Sequence, residues 1–152
     1  MSLTTPCRQH ANQKIDDAAE ARRGGADVQF MMLIYETADD IDARTNEHQE
    51  RQFGPWRVYY KALIDAGIYV SGAPLEPDST GTTVRVKDGR RQVQDGPYAA
   101  TKEQLGGVII LELPSLDAAL DWAARCPTAA TGAVEIRPLS RDVREQVERG
   151  SG

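Results

Sequence analysis

The chain has 152 residues and a formal net charge of −5, a size that suits one globular domain around a single core. Its hydrophobic fraction of 40%, charged fraction of 27% and mean hydropathy of −0.50 are typical of a water-soluble protein. No apolar run approaches the ~18 residues that span a bilayer, which excludes a transmembrane protein. A pI near 5.0 offers no broad positive surface to phosphate backbones, so nucleic acid is not an expected partner.

Cysteine usage and the N-terminal sequence bear on location and on cofactors. Cys7 and Cys126 are too few for a disulfide framework, and no Cys/His spacing matches a metal site. Residues 1–25 contain many charged side chains and lack the apolar segment of a signal peptide. The chain also lacks a glycine-rich phosphate loop of either the Walker or the dinucleotide type. We therefore expect a cytoplasmic protein with no metal and no cofactor.

Composition divides the chain into three segments. Residues 1–27 are polar and predict a flexible or loosely packed tail. Residues 28–139 hold the strand and helix patterns of the predicted domain. Residues 140–152 are highly charged, which predicts a frayed C-terminal tail.

The domain begins with an apolar run at residues 28–35, as expected for a strand that is central in a sheet or covered on both faces. The spacing of apolar residues then changes to that of a helix, which ends at Gly67. Pro55 predicts either a kink in this helix or a restart near Gly54. The predicted apolar face of the helix comprises Phe53, Trp56, Tyr60, Leu63 and Ala66.

Five further strands and a second helix follow. Asp88-Gly89 lies between two β-prone runs and is a strong signal for a hairpin turn. Ser115 caps the second helix, whose predicted apolar face comprises Leu116, Ala119, Leu120 and Ala123. The order β-α-β, hairpin, β-α-β indicates an α+β, ferredoxin-like split βαβ fold with an inserted β-hairpin. The five strands are residues 68–75, 82–86, 90–94, 106–113 and 133–137.

This architecture also predicts how the chain assembles. Two helices cover one face of the sheet and leave the other face bare. A bare apolar face normally contacts a partner. Packing two such faces across a two-fold axis predicts a homodimer with a cavity between sheet and hairpin.

Long ordered blocks of the sequence resemble the YCII-related family, in its DGPF-motif branch. They include Asp88-Gly89-Arg90, residues 93–99, residues 101–107 and residues 116–127, within a resemblance that covers about residues 30–139. The resemblance implies a dimeric α+β barrel, the architecture of muconolactone isomerase-like enzymes and small monooxygenases. The chain departs from the DGPF pattern in two places. Tyr98 replaces the usual Phe, and Ala100 stands where the family commonly has an acidic residue.

The Asp95-Gly96-Pro97-Tyr98 motif has a structural and a functional interpretation. In the first, Asp95, Gly96 and Pro97 form a turn. In the second, Asp95 lies at the mouth of a cavity as a general base, and Tyr98 or Lys102 stabilises developing negative charge.

Aromatic side chains supply the candidate ligand-binding residues. At helical spacing they are commonly core residues, yet aromatic walls with polar tips are also typical of small-molecule sites. His48, the only imidazole in the domain, is expected on a helix surface. The candidates for ligand binding are Tyr35, Trp56, Tyr69, Ser71, Gly96 and Pro97.

Two functional hypotheses follow from different classes. One is an isomerase-like, lyase-like or cofactor-free oxygenase-like enzyme that uses the dimer cavity. The other is a non-catalytic module that binds a metabolite or a regulatory protein partner. Fold analogy favours the enzyme only weakly, because one scaffold supports many functions. Without the acid at position 100 the sequence leaves the choice open.

Overall fold

A computed structural model describes residues 27–150, so the predicted N-terminal tail lies almost wholly outside the described residues. The helices and strands are β1 (Val28–Glu36), α1 (Ala38–Asp42), α2 (Gln49–Asp65), β2 (Tyr69–Pro74), β3 (Thr82–Lys87), β4 (Arg90–Asp95), β5 (Gln104–Leu113), α3 (Leu116–Ala124), β6 (Ala133–Pro138) and α4 (Arg141–Arg149). Two short 3₁₀ turns, Asp78–Thr80 and Pro127–Ala130, complete the order.

Four strands form an antiparallel sheet in the order β2-β5-β1-β6, and β3 and β4 form a separate two-stranded hairpin. β1 therefore pairs with both β5 and β6, as a central strand does. This is the strand order of the split βαβ fold, and the predicted α+β ferredoxin-like class is confirmed.

The core lies between the sheet and helices α2 and α3. Side chains of β1 alternate between the two faces of the sheet, and Phe30, Met32 and Ile34 are buried on the helix side. Leu111 and Leu113 of β5 are buried with them. The helix-side face of the sheet is therefore apolar along both central strands.

Helix α2 buries only part of the face that the sequence predicted, since Trp56 and Ala66 pack against the core and Tyr60 does not. Leu63 lies fully in the core, but Tyr60 is 41% exposed, whereas Tyr59 is only 4% exposed. The Tyr59 hydroxyl donates a hydrogen bond of 2.9 Å to the backbone carbonyl of Trp122. Neighbouring helix positions differ by about 100°, so the core takes Tyr59 and turns Tyr60 toward the edge of the sheet. The helix continues through Pro55 without a restart.

Helix α3 begins as predicted and buries part of the predicted face. Ser115 is the N-cap, and its Oγ accepts a hydrogen bond of 3.2 Å from the Ala118 amide. Ala119 and Ala123 are buried as predicted, whereas Leu116 and Leu120 are about half exposed. Trp122, which was not part of the predicted face, is buried beside the two alanines. The buried face of α3 is thus rotated toward Trp122 and away from the two leucines.

The β3–β4 hairpin has the predicted turn. Asp88 and Gly89 both adopt positive φ, at 52° and 71°, between the paired residues Lys87 and Arg90. Two positive φ angles in a two-residue loop define a type I′ turn, which matches the twist of antiparallel strands. Gly67 at the end of α2 also has a positive φ, 66°, as its predicted terminal position requires.

Two helices lie where the sequence predicted none. Thr37 and Asp40 form a reciprocal capping box that starts the five-residue α1. Residues 141–149, expected to be a charged tail, form the exposed helix α4 with Arg144–Glu148 and Arg149–Glu145 ion pairs one turn apart. None of the helices within residues 27–150 is long and apolar enough to cross a membrane.

Candidate functional site

A cavity of about 670 Å³ lies within the chain, between α2 and the β2–β5–β1 part of the sheet. Its volume falls in the range typical of small-molecule sites. The end of β1 and the segment after β2 close it at one side. The cavity is thus formed by elements of a single chain.

Aromatic and aliphatic side chains form most of the cavity wall. Phe53, Trp56 and Tyr60 project from one side of α2, next to the stripe that enters the core. Tyr69 faces them from β2, and the rings of Tyr60 and Tyr69 meet edge to face at 4.8 Å. Ile34, Ile41, Leu75 and Ile109 complete the apolar lining.

Glu36 supplies a buried carboxylate at the opposite end of the cavity from the tyrosine pair. It is the last residue of β1 and only 2% exposed. The guanidinium of Arg44 forms an ion pair with its Oε2, and the Gln52 amide donates a hydrogen bond of 3.2 Å to its Oε1. All three residues line the cavity.

Arg44 connects three separate parts of the chain at this position. Its Nη1 donates to the Leu75 carbonyl at 2.6 Å, and its Nη2 donates to the Gly106 carbonyl at 2.9 Å. These bonds join the α1–α2 loop to the segment after β2 and to β5, while the ion pair joins it to Glu36 on β1. A planar guanidinium with five donors suits such a multiple contact.

Opposing effects act on the Glu36 carboxyl group. Burial raises its pKa, because the charged form loses water, and the charge and hydrogen bond of Arg44 lower it. Burial is the larger effect, so the pKa of Glu36 is raised from its ordinary value. A buried carboxyl group with a raised pKa in a cavity is a candidate for proton exchange with a ligand.

The pKa of Tyr69, at the other end of the cavity, is also shifted. A hydrogen bond with Tyr60, together with burial, raises the pKa of Tyr69 to about 12. The Tyr69 hydroxyl therefore remains protonated at neutral pH and is available for hydrogen bonding.

Two more carboxylates, Asp42 and Glu76, lie at the rim of the cavity and are exposed. Within residues 27–150, no group of three or more His, Cys, Asp and Glu side chains is arranged to hold a metal ion. The donor set of the cavity is thus carboxylate, amide, guanidinium and phenol on an apolar background.

The sequence matches the model of the YCII-related domain over residues 28–141, which is most of the chain. The chain belongs to the YCII-related family. It is also 34% identical over 113 residues to the uncharacterized protein R00369 of Rhizobium meliloti (strain 1021), an alignment that covers 73% of this chain and 91% of that protein. The matched region contains every residue of the cavity described above. Assignment to the DGPF branch of the YCII-related family stays a prediction.

Two of the predicted ligand-binding residues of this YCII-related protein line the cavity. Trp56 contributes from α2 and Tyr69 from β2. Tyr35 lies on the other face of the sheet, where its hydroxyl donates a hydrogen bond of 3.3 Å to Glu135. Ser71 is exposed on β2 and is not part of the lining.

The predicted catalytic residues lie at the base of the hairpin and in the loop after it. Asp95, Tyr98 and Lys102 are exposed and do not line the cavity. Tyr98 is 77% exposed, and the guanidinium of Arg85 lies 4.9 Å from its ring centroid. Their catalytic roles stay predictions.

Gly96 and Pro97 belong to the same exposed segment. The Gly96 amide donates to the Gly81 carbonyl at 2.8 Å, and its carbonyl accepts from the Thr83 hydroxyl at 2.9 Å. With φ at 100°, Gly96 ends β4 in a conformation that favours glycine. These contacts are those of a turn at the hairpin base.

The sequence did not predict Glu36, Arg44 or Gln52 as site residues. One signal for Glu36 was present: residues 30, 32 and 34 point toward the helices, and alternation places residue 36 on the same face. A carboxylate that continues a buried apolar face indicates a functional or paired group. Arg44 gave no such signal, because its partners lie 8, 31 and 62 positions away.

Proposed function

We propose that this protein binds a small organic molecule in the cavity between α2 and the sheet. The observation that carries the proposal is the combination of an aromatic wall with a buried Glu36–Arg44–Gln52 group in one cavity of about 670 Å³. Apolar surface contributes most of the affinity in such sites, and a few fixed polar groups orient the ligand. Family membership is consistent with this function but does not specify the ligand.

The test is to measure ligand binding to the intact chain by thermal shift and calorimetry, with a panel of small aromatic and aliphatic compounds. A ligand at a hundredfold its Kd stabilises the folded state by ~2.7 kcal/mol, which gives a measurable shift. We expect Trp56→Leu to weaken binding roughly tenfold or more, because it removes an aromatic wall.

The matched control is Val58→Ala on α2. Val58 is 73% exposed and is not part of the cavity lining. We expect this variant to bind like the wild type. Equal binding by Trp56→Leu and wild type would contradict the proposed site.

The second candidate function is catalysis of a proton transfer in the same cavity, as an isomerase, lyase or cofactor-free oxygenase requires. Burial of Glu36 and its raised pKa support this role. Glu36→Gln keeps the shape of the side chain and removes the titrating group. If the protein is an enzyme that uses Glu36, this variant retains ligand binding and loses turnover.

The Asp95 hypothesis is a distinct version of the enzyme proposal. An exposed Asp95 becomes part of a cavity only if a second subunit covers the hairpin base. In that arrangement Asp95 acts as base, with Tyr98 or Lys102 beside it. Asp95→Asn then abolishes turnover, whereas Glu36→Gln does not, and the two variants distinguish the two bases.

A homodimer is part of the proposed function. The sheet face opposite the helices carries partly exposed apolar residues at its centre, Met31 and Leu33 of β1 beside Ile110 and Val108 of β5. Polar pairs flank them, including the hydrogen bond from Gln29 to Glu112 at 3.3 Å. An apolar centre with a polar rim is the usual anatomy of a two-fold interface.

We expect Leu33→Lys to convert the dimer to a monomer, because a charge at the centre of an apolar interface is costly to desolvate. Light scattering over a micromolar concentration range measures the change. Val58→Lys, on the exposed side of α2, is the control and leaves the assembly unchanged. A wild-type chain that stays monomeric throughout this range would overturn the dimer.

A further inference from the structure

Negatively charged side chains outnumber positively charged ones in the lining of the cavity. Three carboxylates, Glu36, Asp42 and Glu76, face one cation, Arg44. The formal charge of the lining is therefore −3 + 1, or −2, and it is still −1 when Glu36 is protonated. Arg44 also points its guanidinium at Glu36 and at two backbone carbonyls. Its charge is thus already neutralised by the protein.

The aromatic wall also favours positive charge, as the excess of carboxylates does. The faces of Trp and Tyr rings carry partial negative charge and attract organic cations, and Trp does so most strongly. Trp56 and Tyr60 lie on the stripe of α2 that follows Gln52, so the aromatic wall begins at the acidic end of the cavity. The Tyr60–Tyr69 pair lies about 12 Å farther along the helix than Gln52, by the rise of 1.5 Å per residue.

We infer that the ligand of this cavity is an organic amine cation with an apolar, ring-sized body. This inference rests on the proposed small-molecule function and assigns the ligand class. The ammonium group lies at the acidic end, where Asp42 and Glu76 attract it, and the apolar body lies along Trp56 toward the tyrosine pair. An anionic ligand of the same shape meets like charge at the rim.

Three probes of nearly equal shape test the charge preference: 2-phenylethylamine, 2-phenylethanol and 3-phenylpropanoate. Calorimetry with the full chain measures each Kd at low and at moderate ionic strength. We expect the amine to bind at least about tenfold more tightly than the alcohol, and the carboxylate to bind more weakly than the alcohol. The advantage of the amine decreases with added salt, because the rim carboxylates are exposed.

The double variant Asp42→Asn, Glu76→Gln removes the charge of the rim and keeps its shape. It brings the affinity for the amine close to that for the alcohol, because the loss of affinity is much larger for the amine than for the alcohol. Asp88→Asn is the matched control, since it removes a carboxylate from the hairpin turn and Asn tolerates the positive φ at that position. It leaves the preference for the amine intact.

The outcomes separate the two proposals. Equal binding of the three probes, or tightest binding of the carboxylate, overturns the amine class and leaves the cavity as a binding site. An amine preference that the rim variant does not reduce also overturns the inference. Failure of all three probes to bind, or binding that Trp56→Leu does not weaken, overturns the cavity function together with the inference.

Discussion

Arg44→Met is expected to destabilise the fold by about 3–5 kcal/mol, which is typical when one partner of a buried ion pair is removed. The side chain of Glu36 is only 3% exposed, so the unpaired carboxylate cannot recover its hydration. The variant also loses the bonds from Arg44 to the Leu75 and Gly106 carbonyls. Urea unfolding at neutral pH measures the loss.

The loss of stability in Arg44→Met is expected to depend on pH. Burial raises the pKa of Glu36 in the folded chain, and Arg44 opposes that rise. A carboxyl group with a higher pKa in the folded state binds more protons when folded, so stability decreases as the pH rises from its unfolded to its folded pKa. Without Arg44 the folded pKa is higher still, and this window extends to higher pH. The deficit of the variant is therefore largest at neutral pH and becomes smaller as the pH falls toward about 5.

Two control variants isolate the cause. Arg44→Met combined with Glu36→Gln removes both charges, and we expect it to recover much of the lost stability and to lose the pH dependence. Arg57→Met removes an exposed arginine that is paired with Glu50, and we expect little change. A pH-independent deficit in Arg44→Met would show that packing of the arginine, rather than the charge on Glu36, is the main contribution.

Local sequence signals predicted most of the fold. The apolar run of β1, the Asp88-Gly89 turn and the Ser115 cap each depend on residues close in sequence, and each is present in the structure. The order of these elements then restricted the topology to the observed antiparallel sheet. The predicted α+β class and the YCII-related family are both confirmed.

The sequence was less informative about which helix face enters the core. Apolar spacing in α2 is compatible with either Tyr59 or Tyr60 in the buried stripe. Tertiary contacts decide between them, since the Tyr59 hydroxyl meets the Trp122 carbonyl 63 positions away. Tyr60 then contributes to the cavity with Phe53 and Trp56. A periodic pattern therefore located the helix but not the cavity beside it.

The candidate site was only partly predictable for the same reason. Aromatic composition suggested Trp56 and Tyr69 as ligand-binding candidates, and both line the cavity, while their binding role stays a prediction. The polar group of the site depends on Arg44 reaching backbone carbonyls on two other strands or loops, which no local pattern encodes. The catalytic residues were predicted in the DGPF-like segment instead, because its residue types form a recognisable sequence motif.

Gly106→Ala is expected to destabilise the chain by about 1–3 kcal/mol and to abolish ligand binding in the cavity, because it overpacks a filled space. A Cβ at position 106 would overlap the Glu36 carboxylate and approach the Arg44 guanidinium to 2.8 Å. Both groups lie at the ends of side chains, but hydrogen bonds hold those ends in place. Arg44 and Gln52 hold the Glu36 carboxylate, and the Leu75 and Gly106 carbonyls hold Arg44. Chemical unfolding measures the stability, and calorimetry measures the binding.

Gly54→Ala is the matched control with the opposite expected sign. A Cβ at Gly54 meets nothing within 4 Å, and the residue lies inside α2. Alanine loses less backbone entropy than glycine in a helix, so we expect a gain of about 0.5–1 kcal/mol. The pair of variants therefore separates the effect of a methyl group from the effect of its position.

A double-mutant cycle identifies the obstacle. Glu36→Ala vacates the space that the new Cβ would enter, so we expect Gly106→Ala to cost less in that background, with a coupling of roughly 1 kcal/mol or more. Equal costs in both backgrounds would mean that the backbone of β5, rather than the ion pair, resists the side chain. The absence of a side chain at residue 106 would then have no role in forming the buried Glu36–Arg44 group.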